Sequence, residues 1–154
     1  MAGITLTQAN YPNCIKEGLT QPILTLSDHQ SSSIRFENNL PAPGKFDQIQ
    51  IDGCVFGAQD QHLRCDWLLR FNCAEQRHEI YVELKGKNIR HAARQLGETI
   101  RLISSEALRH CYIVYTSNPL TSSELQTLKV RFQKNFNAHL KTVRDQSTVK
   151  LIKA

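Results

Sequence analysis

The sequence predicts an α/β protein in which a mixed central β-sheet is flanked by helices. Three observations carry this. Short apolar or alternating stretches cover 46–56, 64–71 and 80–86, each of strand length. The period then changes, with Ile89, Ala92, Ala93, Leu96, Ile100 and Ile103 recurring at helical spacing. A continuous apolar run, Cys111-Tyr-Ile-Val-Tyr115, follows that helix. A strand–helix–strand succession implies a parallel crossover, whereas the strands before it are joined by a short connection and pair antiparallel. The sheet is therefore mixed.

Each element has its own reason. Residues 1–33 are rich in Thr, Gln, Asn and Ser, contain Pro12 and Pro22, and show little periodicity. They read as a loosely patterned segment with a short helix near Ile15–Leu19 and a strand near Pro22–Leu26. Residues 34–38 alternate as a strand, and Asn38–Lys45 is a loop by its Pro, Gly and Asn content. Phe46–Phe56 reads as a strand with Ile49, Ile51, Cys54 and Val55 inward. Asn72–His78 is polar and short enough to connect a hairpin. Asn88 is placed to cap the first helix, which ends near Ser104-Ser105. After Pro119, one of Thr121, Ser122 or Ser123 caps a second helix with the stripe Leu125, Leu128, Phe132, Phe136 and Leu140. Thr148–Ile152 reads as a last strand. At 154 residues, 40% hydrophobic and 21% charged, residues 1–154 suit one soluble globular domain.

Charge falls where a buried strand should be apolar. Residues 64–71 are Arg-Cys-Asp-Trp-Leu-Leu-Arg-Phe and residues 80–86 are Ile-Tyr-Val-Glu-Leu-Lys-Gly. Side chains alternate between the two faces of a strand, so Arg64, Asp66, Leu68 and Arg70 share one face, and Tyr81, Glu83 and Lys85 share one face. A symmetric turn about residues 75–76 sets Asp66 opposite Lys85 and Leu68 opposite Glu83. Asp66, Glu83 and Lys85 then converge, provided the register holds to within two residues. Two carboxylates beside an ammonium suit a metal-assisted phosphodiester-cleaving centre. The plain alternative is a cross-strand ion-pair set on a solvated sheet face. Asp52 reads either as a turn residue or as an additional acidic ligand.

This order, with Asp66 in one strand and Glu83-Leu-Lys85 in the next, resembles the PD-(D/E)xK nuclease superfamily, and in particular its small uncharacterised members. The resemblance covers about Phe46 to Tyr115. It implies a restriction-endonuclease-like core and a Mg²⁺- or Mn²⁺-dependent endonuclease. Asp66, Glu83 and the Leu84 carbonyl would hold the metal, and Lys85 would assist at the attacked phosphate. Gln95 matches the glutamine that many members carry in the following helix. Thr99 stands where RecB-like branches carry a tyrosine, which sets this chain apart from that branch. Glu17 is the candidate for the acidic residue that the family's first helix often supplies.

The formal net charge of +5 permits a polyanionic partner. Lys87, Arg90 and Arg94, at the start of the first helix, are the expected nucleic-acid contacts, with DNA favoured over RNA. Lys129, Lys134 and Lys141 form the competing basic face. The alternative function is a catalytically inactive nucleic-acid-binding or regulatory module of the same fold within a larger assembly, alongside a larger protein partner. A homodimer is expected through the Leu125–Leu140 stripe or the Leu40-Pro-Ala-Pro loop, because one centre cuts one strand. No apolar run is long enough to span a membrane, and no secretory leader is visible. The five cysteines are odd in number and contain no CxxC pair. They read as free thiols, which fits a cytoplasmic location. Cys54, Cys65 and Cys111 read as core residues. His62, His78, His110 and His139 read as structural or exposed.

Overall fold

The computed structural model describes residues 3–28, 32–57, 64–84, 88–103, 106–117 and 120–152. Along them run β1 (Ile15–Leu19), β2 (Ile23–Ser27), β3 (Ser33–Glu37), β4 (Phe46–Gln50), β5 (Trp67–Cys73), β6 (Gln76–Leu84), α1 (Ile89–Leu102), β7 (Leu108–Tyr115), α2 (Ser122–Phe136), β8 (Ala138–Arg144) and β9 (Ser147–Lys150). Six strands form one sheet in the order β1-β4-β5-β6-β7-β8, and three form another in the order β2-β3-β9.

The large sheet is antiparallel from β1 to β6 and parallel from β6 to β8. Both parallel steps need long connections, and α1 and α2 are those connections. The helices share one face: α1 residues Ala92, Leu96 and Ile100 and α2 residue Phe132 pack with Ile49, Leu68, Tyr81, Cys111 and Leu140 of the strands. On the other face Leu69, Ile80, Val82 and Tyr112 pack against Leu24, Leu26, Ile34 and Phe36 of the small sheet. The result is three layers: helices, a mixed six-stranded sheet and a three-stranded sheet. β6 is covered on both faces, so its second half is buried without interruption.

Several expectations need correction. Ile15–Leu19 is strand β1, not a helix, and it edges the large sheet beside β4. The opening segment thus supplies two ordered strands. The strand expected over 46–56 stops at Gln50. There the chain turns, with Gly53 at φ 81° and the Phe56 amide donating to the Ile51 carbonyl at 3.0 Å. The β5–β6 turn is Ala74-Glu75, both at positive φ, and Cys73 pairs with Gln76. Its register is therefore two residues away from the expected one, which preserves the faces. α2 ends at Phe136, where Asn137 adopts the left-handed conformation. Leu140 belongs to β8, and the last strand is Ser147–Lys150. Cys14 and Cys54 form a disulfide, so neither is a free thiol and Cys54 is not a plain core residue; Cys65, Cys73 and Cys111 are free. With one pair oxidised, the cysteines no longer point to a reducing compartment. Among the described residues no helix is long and apolar enough to cross a membrane.

Candidate functional site

Asp66 immediately precedes β5, which starts at Trp67 and not at Arg64 as expected, and Glu83 lies on the adjacent β6; both lie just past the last β5–β6 pair, Trp67 and Val82. The Asp66 amide donates to the Val82 carbonyl at 3.1 Å. Its Oδ2 accepts from the Leu84 amide at 2.8 Å, so the carboxylate is drawn to the end of β6, beside Glu83. Glu83 is fully buried, and Asp66 is half-buried. Leu84 sends its side chain into the core on the small-sheet face, while Glu83 follows Tyr81 on the helix face. Lys85 and Lys87 lie outside the described residues.

α1 supplies the third side of the site. It starts immediately beyond β6, with the Asn88 side chain accepting from the His91 amide at 2.9 Å as an N-cap. Gln95 is buried; its Nε2 donates to the Arg64 carbonyl at 3.0 Å, and its Oε1 has no hydrogen-bond partner among the described residues. One turn on, the Thr99 hydroxyl accepts from the Cys65 amide at 2.7 Å and donates to the Gln95 carbonyl at 2.8 Å. Thr99 therefore latches the chain entering β5 onto α1, a role the sequence reading missed. Its signal was the i, i+4 relation to Gln95 on a buried face. Burial pushes the Cys65 thiol well above its usual value, and the nearby Glu83 and Asp66 charges push it further; the Thr99 contact opposes them. One thiol thus feels both carboxylates.

Asp52 stands apart from this group. It is exposed on the turn after β4 and pairs with Arg64 Nε at 2.8 Å. Glu17 is exposed on β1, and no helix precedes β4 among the described residues. Arg90 and Arg94 are exposed on α1, where Arg90 forms an ion pair with Glu124 of α2.

Two other polar rows cross the sheet. On the helix face, Asp47, Arg70, Glu79 and Arg109 occupy facing positions on β4, β5, β6 and β7. Arg70 meets Asp47 at 2.9 Å, Arg109 lies 3.9 Å from Glu79, and the Tyr81 hydroxyl donates to Glu79 at 2.8 Å. Their alternating signs make this row a structural seam. On the other face, His78, His110 and His139 stand side by side on β6, β7 and β8, with His78 stacked on Phe71. His78 Nδ1 lies 3.3 Å from His110 Nε2. His62 lies outside the described residues.

Among the described residues no group of three or more His, Cys, Asp or Glu side chains is placed to hold a metal ion. Mg²⁺, however, is commonly held by one or two carboxylates, with waters and substrate phosphate completing its shell. The oxygen-only pair Asp66 and Glu83 fits that demand, and Mn²⁺ accepts the same donors. Comparison with protein-family models, with curated proteins and with solved structures finds no match to this chain.

Proposed function

We propose that this protein is a divalent-metal-dependent nuclease with a restriction-endonuclease-like core, acting on nucleic acid and on DNA before RNA. The observation that carries the proposal is the Asp66 carboxylate bound to the Leu84 amide beside buried Glu83, where β6 gives way to α1. A buried carboxylate needs a cation, hydrogen bonds or a proton to offset its lost hydration, so a polar centre belongs here. Asp66 and Glu83 are the metal-holding residues, with the Leu84 carbonyl beside them. A Mg²⁺ or Mn²⁺ ion held by them would supply Lewis-acid polarisation of the phosphoryl oxygen and lower the pKa of the attacking water. Lys85 offsets charge developing on the attacked phosphate. Gln95, anchored by its amide nitrogen to Arg64, has an oxygen without a partner among the described residues and presents it as an acceptor that orients water. Lys87, Arg90 and Arg94 hold flanking phosphates.

The test is incubation of purified protein with plasmid, linear single-stranded DNA and RNA, in Mg²⁺, Mn²⁺ or EDTA. Cleavage is expected with metal and absent with EDTA. Asp66→Asn keeps an acceptor for the Leu84 amide, Glu83→Gln keeps the buried shape, and each should lower the rate by about 10²-fold or more. Lys85→Ala should bind substrate and not turn over. Full activity of folded Glu83→Gln sinks the proposal. Salt-sensitive binding without cleavage in any metal restores the inactive-module reading.

A further inference from the structure

α1 and α2 lie side by side over the sheet and leave a groove of about 610 Å³ between them. Its rim carries Arg90, Arg94 and Arg101 from α1 and Arg131 from α2, against the two carboxylates Glu98 and Glu124. Arg90 is paired with Glu124, and Arg101 lies 3.0 Å from Glu98. Neither Arg94 nor Arg131 has an ion pair or hydrogen bond among the described residues. Two guanidiniums from facing helices are thus uncommitted at one opening. Between the rims the lining is apolar, with Leu128, Phe132 and Phe136. The Phe136 ring lies against Gly97 and carries the Arg101 guanidinium 5.3 Å above its centre.

We propose that this groove binds a single strand of nucleic acid and delivers it to the Asp66–Glu83 centre. The inference rests on the nuclease reading for its purpose, not for its chemistry. A cationic rim over an apolar and aromatic floor matches a strand whose phosphates and base faces are both free. A duplex shows its phosphates outward and hides its base faces, so it leaves the floor uncovered. A duplex also takes a helix into its own groove and does not enter one between helices about 8–10 Å apart. The Phe136 ring with the Arg101 guanidinium over it offers an aromatic and cationic contact for a base face. An acidic peptide satisfies the rim but not the ring. Arg90 stands at the α1 end that follows β6, the strand whose last residues bear Glu83 and hold Asp66 through the Leu84 amide.

The test is fluorescence anisotropy of the whole protein in EDTA, with labelled dT12, U12, a 12-base-pair duplex and a 12-residue polyglutamate peptide. One or both single strands should bind at least about tenfold more tightly than the duplex and the peptide. Arg94→Gln with Arg131→Gln should weaken single-strand binding about tenfold and lower the salt slope by about 1.4. Their lack of partners leaves the melting temperature unchanged, and Arg131→Gln alone serves if the pair misfolds. Equal or tighter duplex binding, equal peptide binding, no saturable strand binding, or unchanged affinity in the variants overturns the proposal. Strand binding without cleavage in either Mg²⁺ or Mn²⁺ upholds the groove and removes the nuclease reading. Duplex cleavage that survives both substitutions does the reverse.

Discussion

One hydroxyl ties the chain entering β5 to the helix behind it. Thr99 holds the Cys65 amide and the Gln95 carbonyl at once, both in a dry environment. Thr99→Val preserves shape and strands the Cys65 amide, at a cost of about 1–3 kcal/mol. The urea midpoint should fall at constant slope, and Thr99→Ser should recover most of the loss. His78 offers a second residue-scale test. Burial holds its pKa below the ordinary value, so the fold prefers the neutral ring, packed between Phe71 and His110. The unfolded chain then binds more protons. The stability is present above about pH 6.5 and is lost as pH falls towards the folded value. Melting temperature should decline from about pH 7.5 to 5.5, and less steeply in His78→Gln. An equal decline in both proteins removes His78 as the cause. No motif announced the histidine row, because it exists only once β6, β7 and β8 are in register.

Between α1 and α2, Gly97 decides how closely the helices approach. A Cβ there would lie 3.0 Å from Phe136 Cζ and 3.2 Å from Cε2. Alanine is the better helix former by about 1 kcal/mol, but the ring has to move to admit it. Gly97→Ala should therefore destabilise, and adding Phe136→Leu should restore part of the loss; a simple sum of the two single effects in denaturant melts refutes the contact. α1 was legible because its cap and apolar stripe agree. β1 was not, because Ile15 and Leu19 are four apart and mimic a helical face. The mimicry arises where Gly18 takes φ 67° and the pairing with β4 shifts between Lys16 and Leu19. α2 was overrun for a related reason. Phe136 and Leu140 are four apart, yet Ala138 and Leu140 equally satisfy strand alternation, and both are buried in β8. Asn137 was the punctuation that separated them.

At the scale of the whole molecule, the carboxylates were readable because strand parity survives a two-residue slip. The turn at Ala74-Glu75 hid the register, since residues at positive φ there are usually Gly, Asn or Asp. Strands near β2, β3 and β9 were legible one by one, but their union in a second layer was not, because β9 joins the local β2–β3 hairpin from the far end of the sequence. The stripe offered for dimer contacts is partly spent within the chain. Phe132 is in the core, and Leu128 and Phe136 pack against it. The Cys14–Cys54 disulfide closes a separation of 40 positions and pins the approach to edge strand β1 onto the turn after β4. Loop-closure entropy of that size is worth up to about 4 kcal/mol. Cys14→Ser with Cys54→Ser should melt lower than the oxidised protein and match it once the latter is reduced. Equal melting of both oxidised samples contradicts the pairing.

The parallel pairing of β3 with β9 sets an order of assembly. Ser33 donates to Asp145 across 112 positions of sequence, and Asn39 grips Ile152 across 113. The β2–β3 hairpin is made long before its outer neighbour. During synthesis, the hairpin can cover Leu69, Ile80, Val82 and Tyr112 early, but the cover is complete only after β9 and Leu151 emerge. Contacts of such reach are slow to form, and an incomplete cover leaves strand edges open to other chains. The step most exposed to misassembly thus belongs to the face that carries no chemistry, while the carboxylate-bearing hairpin closes early and locally.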